Sequence, residues 1–172
     1  KLATATMFVA IASALMTTGA FASPEKGLEI AIEADNRDKG FGDSTAQITM
    51  TLMDKYGQST KRAIRNRTFE VDNEGDKSLV IFDSPGDVRG TAFLSHTKKT
   101  DSDNQWLYLP ALKRVKRIAS SNKAGPFMGS EFSYEDIASQ EVEKYTYNYL
   151  RDEELNGLDC FVVEYDPVDR KS

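Results

Sequence analysis

The chain has 172 residues, 22 basic and 27 acidic, with a net charge of −5, one His and one Cys. A net-acidic balance disfavours nucleic-acid binding. A single Cys rules out an internal disulfide framework, and one His with one Cys is too few for a His/Cys metal site.

The N-terminus reads as an export signal. Basic Lys1 precedes the apolar or small run Met7–Met16, and Ala20-Phe21-Ala22 is an A-x-A cleavage pattern. The run is too short to span a membrane, and no later apolar run approaches the ~18 residues a span needs. Cleavage after Ala22 leaves about 150 residues, enough for one domain (23–172) with a sizeable core. No Cys stands at the cleavage point, so the expected product is soluble in the periplasm and not lipid-anchored. The chain starts inside the basic region of the signal and ends in the polar stretch Asp166–Ser172. It is expected to be a fragment that continues beyond both ends.

Pro24–Glu33 places Leu28, Ile30 and Ile32 at alternate positions, which suits a strand. Its run into Ala31, Glu33 and Ala34 suits a short helix equally, and the helix is favoured. Asp35–Ser44 is a polar loop. Period-2 patterns then dominate. Strands are expected at Ala46–Lys55, Thr60–Asp72, Ser78–Phe82, Thr91–Lys98, Gln105–Leu109, Leu112–Ile118, Glu141–Leu150 and Cys160–Tyr165. Turns are expected at Tyr56-Gly57-Gln58, Asn73–Asp76, Ser84–Gly90 and Asn156-Gly157. Ser120–Glu131 is a long loop. Ser133 and Asp136 form a capping box that should start a short helix through Ser139. Strands joined by short turns, with no βαβ rhythm, give a mainly β fold with short helices: an antiparallel meander, curved or barrel-like.

No catalytic set is visible. His96 stands alone in a strand, and Met128-Gly129-Ser130-Glu131-Phe132 is not a nucleophile elbow. Gly40-Phe41-Gly42 lacks the rest of a dinucleotide fingerprint. Glu33, Asp35, Asp38 and Asp43 do not have calcium-loop spacing. Cys160 lies in an apolar strand as a small hydrophobe. The chain reads as a non-enzyme without cofactor or metal.

Two features remain. Met50, Leu52, Phe93, Trp106, Tyr108, Phe127, Met128 and Phe132 are large apolar residues that line a cavity if the sheet curls without closing, or fill an ordinary core if it does not. Lys113–Arg117 is a basic strand. Its Arg114 and Lys116 face one way and could hold anionic head groups or an acidic partner; solvated, aggregation-resistant strand edges are the equal alternative.

Four ordered blocks carry a resemblance. SLVIFDSPGDVRGTAFLS (Ser78–Ser95), DNQWLYLPALKRVKRI (Asp103–Ile118), FMGSEFSYEDI (Phe127–Ile137) and LNGLDCFVVEYDP (Leu155–Pro167) together resemble the outer-membrane lipoprotein-sorting protein family. This is a LolA/LolB-like branch associated with RND/MMPL-type exporters. The resemblance implies an open, incomplete antiparallel β-barrel with a helical plug, its last strands lying beyond Ser172. It implies a cavity for the acyl chains of a lipoprotein or lipid in transit across the periplasm toward the outer membrane. It also admits a second role, as an accessory or adaptor of an RND/MMPL-type exporter that binds protein through the Lys113–Arg117 strand and the Phe127–Tyr134 loop. It transfers no ligand residue onto a defined position.

Overall fold

The computed structural model describes residues 22–169. The expected export signal and its cleavage site lie almost entirely outside them. Helix α1 (Pro24–Asp38) opens the described chain, confirming the helix over the strand and extending five residues past its expected end. Ser23 caps it in extended conformation: its Oγ accepts from Lys26 N at 3.3 Å, and Pro24 occupies the first turn, where its missing N–H costs nothing.

Six strands follow as a meander: β1 (Asp43–Met53), β2 (Ser59–Phe69), β3 (Lys77–Ser84), β4 (Ala92–His96), β5 (Asn104–Leu109) and β6 (Arg114–Ile118). They form one antiparallel sheet in chain order. The other two, β7 (Tyr145–Leu155) and β8 (Leu158–Pro167), form a separate hairpin. Asn156 and Gly157 close it with φ of 54° and 81°, the left-handed pair a two-residue hairpin turn requires. Neither sheet closes on itself, so the described fold is open and not a barrel.

The hairpin holds α1. Ser23 and Tyr149 exchange both backbone hydrogen bonds, at 3.1 and 3.0 Å. One turn later Gly27 lies directly on the β7 backbone. A Cβ there would come within 2.7 Å of Tyr149 N and 2.8 Å of Asn148 N, so only glycine permits this approach.

Strand alternation divides the large sheet into two faces. One carries Ile64, Val80, Phe82, Phe93 and Leu107, all buried. Segment 119–139 crosses this face as a plug. Its Phe127 is fully buried, with ring centroids 5.3 Å from Phe93, 5.9 Å from Phe82 and 5.4 Å from Tyr134. Arg62 Nη1 donates to Met128 O at 2.7 Å and Gln105 Nε2 to Tyr134 O at 3.2 Å, fastening the plug from both sides.

The capping box forms but nucleates no helix, which corrects that expectation. Ser133 N donates to Asp136 Oδ2 at 2.7 Å and Asp136 N to Ser133 Oγ at 3.2 Å. However, the next amides, Tyr134 N and Glu135 N, turn back onto Gly125 O and Lys123 O. The segment therefore stays a turn. The plug is built of turns and short 3₁₀ segments such as Phe127–Gly129, with no α-helix in it.

Candidate functional site

The opposite face of the sheet is apolar in the middle and left open. Cross-strand pairing sets two rungs on it. The first runs Arg67, Leu79, Leu94, Trp106, Arg117 from β2 to β6. The second runs Arg65, Ile81, Ala92, Tyr108, Val115. Leu79, Ala92, Leu94, His96, Trp106, Tyr108 and Val115 line a groove of about 440 Å³, within the size range of small-ligand sites. Tyr108 is 37% exposed and Val115 59%. Strands β3 to β5 are thus apolar on both sides, and among the described residues only the plug side is covered.

His96 borders one end of the groove. Its ring meets Trp106 edge-on at a centroid distance of 5.1 Å. Partial burial, and next the Lys77 charge on the neighbouring strand, lower the His96 pKa below its ordinary 6.5, so the ring is neutral at pH 7. The other end meets charge held in place: Arg65 donates Nε and Nη2 to the two carboxylate oxygens of Asp83 at 2.7 and 2.8 Å. This fork keeps the Asp83 carboxyl below the usual range.

The large apolar residues singled out in the sequence fall into three places. Phe93 and Phe127 are fully buried between sheet and plug, with Met50 and Met128 packed against them; Leu52, on the same face of β1 as Met50, is half-buried. The space there is filled by the protein's own rings. Trp106 and Tyr108 lie on the open face. Phe132 projects from the plug, 53% exposed. Arg114 and Lys116 pair with Leu109 and Leu107 on the edge strand β6, so they sit on the plug side, exposed, while Val115 between them joins the groove. The structure does not bring these two cations to the groove. It brings Leu79, Ala92, Leu94 and Val115, which the sequence reading passed over. Their signal was present: SLVIF and QWLYL are continuous apolar runs, the mark of strands greasy on both faces.

An open antiparallel sheet, plugged on one face and grooved on the other, with a capping helix on a separate hairpin, defines a LolA-like fold. The comparisons agree. A family model described as an uncharacterized protein matches residues 74–172. A crystal structure from Vibrio parahaemolyticus, named as an outer membrane lipoprotein-sorting protein domain, aligns at TM-score 0.84 with 57% identity, over 87% of this chain and 63% of that one. A DUF1329 family protein from Desulfovibrio piger aligns at TM-score 0.76 with 32% identity, over 84% and 61%. A LolA superfamily protein from Nitrosomonas europaea shares the fold, at TM-score 0.54 with 19% identity over 84% and 61%. No curated protein matches the chain. This chain belongs to the family of the model matching residues 74–172, and its fold is the one shared by the outer membrane lipoprotein-sorting, DUF1329 and LolA superfamily structures it resembles. It spans about three fifths of the length of the solved relatives it matches.

Proposed function

We propose that this chain is the acyl-binding part of a periplasmic carrier, which takes up the acyl chains of a lipoprotein or lipid and passes them toward the outer membrane. The observation that carries this reading is the apolar groove on the open face, with Trp106 and Tyr108 at its floor and Leu79 and Leu94 beside them. A hydrocarbon chain laid there loses about 0.8 kcal/mol of unfavourable hydration per buried methylene, which needs no polar chemistry and no catalytic group. The V. parahaemolyticus relative, named for lipoprotein sorting, supports the same reading. Periplasmic delivery would follow from cleavage of the export signal that the sequence suggests up to Ala22. No helix among the described residues is long and apolar enough to cross a membrane.

Native mass spectrometry on the full-length protein from periplasmic extract tests this, followed by extraction of whatever co-purifies. A bound acylated species is the expected result. Protein that arrives empty and takes up no added lipid would overturn the reading. One observation favours the second role, an adaptor of an RND/MMPL-type exporter: β6 is an edge strand whose Arg114–Arg117 stretch is exposed throughout. Pull-down of an exporter from membrane extract, lost on Arg114→Glu with Lys116→Glu, would support it over the carrier reading if no lipid binds.

A further inference from the structure

We infer that the open face is built for an anionic phospholipid, with the acyl chain on Leu79, Leu94 and Trp106 and the phosphate head at Arg67 and Lys77. This rests on the acyl-carrier reading and specifies its ligand. The apolar groove does not end at His96. It continues, sharing Leu79, Leu94 and His96, into a second groove of about 540 Å³ over β1 to β3. That volume suits a head group rather than a lone carboxylate.

Both cations are placed by strand register. Arg67 is the direct cross-strand partner of Leu79, and Lys77 lies two residues before Leu79, opposite His96. Two residues along a strand return to the same face. Arg67, Lys77 and His96 therefore border the apolar floor on one side.

The state of these cations separates them from ordinary surface charge. Arg65, one rung away, is neutralised by its fork to Asp83. Arg67 and Lys77 form no ion pair among the described residues. Edge protection does not account for them, because β2 and β3 are interior strands with a neighbour on each side. Asp43 is the one carboxylate lining the second groove, and His96 is neutral at pH 7. The head-group end therefore carries a net positive charge, next to an apolar floor. An arginine fork beside a lysine matches a phosphate diester in geometry and charge.

The test uses the full-length protein with Trp106, the one tryptophan of these 172 residues, as the reporter and any tryptophan outside them replaced by Phe. Three dioctanoyl probes are titrated below their micelle concentrations: phosphatidylglycerol, phosphatidylcholine and the headless dioctanoylglycerol. Phosphatidylglycerol is expected to bind about tenfold tighter than the other two, the scale of one charge-assisted contact. Arg67→Gln with Lys77→Gln should remove the preference and leave binding of the headless probe. Lys55→Gln with Lys61→Gln, the same charge removed from the far end of the β1–β2 hairpin, should keep the preference. The charge-conserving Arg67→Lys with Lys77→Arg guards against a folding defect and should also keep it. Equal affinity for all three probes overturns the assignment, as does a preference that survives the Arg67/Lys77 pair or is lost equally with the Lys55/Lys61 pair. If none of the probes shifts Trp106, the carrier reading itself fails.

Discussion

His96 and Trp106 meet ring edge to ring face at 5.1 Å on the side of the sheet that the plug leaves open. Their neighbours in sequence, Ser95 and Gln105, are fully buried beneath the plug. One step along each strand separates a candidate ligand surface from a sealed core. The two faces should therefore respond differently to truncation.

Phe127→Ala should destabilise the fold by about 3–5 kcal/mol, because it empties the cluster of Phe82, Phe93 and Tyr134. Trp106→Ala should weaken a fluorescent acyl probe on the order of tenfold while lowering stability less than Phe127→Ala does. Probe titration and urea unfolding on both variants check this. The account fails if Trp106→Ala binds the probe like the parent.

Gly27→Ala should loosen α1 from β7. The added methyl meets backbone atoms of Asn148 and Tyr149, which cannot rotate away as a side chain could. The expected cost is about 1–3 kcal/mol, as for overpacking elsewhere. Hydrogen exchange should rise over Pro24–Asp38 and β7 before it rises over β3 to β5. Uniform exchange across both sheets would contradict the separate footing of the hairpin.

Acidification should stabilise one corner of the molecule. Burial raises the carboxyls of Asp76 and Glu141 above their ordinary 3.8 and 4.5, and the Asp76 charge raises Glu141 further. Asp35, Asp38 and Glu70 add like charge at Asp76; at Glu141, Glu143 adds like charge, while Lys144 and Lys99 offset part of it. A carboxyl whose folded pKa is raised contributes stability fully below its unfolded pKa and loses it as pH rises through the folded pKa. Glu141→Gln should thus raise Tm at pH 7 and have a smaller effect near pH 4. Glu70 runs the other way. The amides of Gly40 and Gly42 donate to it at 2.7 and 2.8 Å and lower its pKa, so its contribution is present above about 4.5 and lost below. Tm measured from pH 4 to 8 on Glu141→Gln and Glu70→Gln should show opposite trends.

The strands were legible in the sequence because alternation of apolar and polar residues is a local property. All eight overlap the expected segments, but β7 starts at Tyr145, after a 3₁₀ turn over Val142–Lys144, and runs to Leu155 rather than spanning Glu141–Leu150, and β6 starts at Arg114 rather than Leu112. The faces of β3 to β5 were not legible. Where both neighbours in a pair such as Trp106 and Leu107 are apolar, periodicity cannot say which one the plug covers. That depends on how a segment twenty residues away folds back, and the sequence reading accordingly joined Phe93 and Trp106 in one cavity set. Arg67 and Lys77 were missed for a related reason. Arg67 in the Arg-rich β2 and Lys77 at the start of β3 look like solvated surface, and only the β2–β3 register brings Arg67 beside Leu79. The plug's missing helix is a third case. The Ser133–Asp136 box is a correct local signal, overruled by long-range amide bonds to Lys123 and Gly125.

The most direct measurement of the central claim is collisional quenching of Trp106 by lipids brominated along the acyl chain, titrated into the full-length protein. Bromine quenches only at close range, and replacing any tryptophan outside these 172 residues by Phe leaves Trp106 as the sole emitter. The account predicts saturable quenching at one lipid per protein, strongest with bromine at a fixed depth in the chain. A lipid that binds without quenching Trp106 would place the acyl chain elsewhere, under the plug or on the hairpin, and contradict the open-face site.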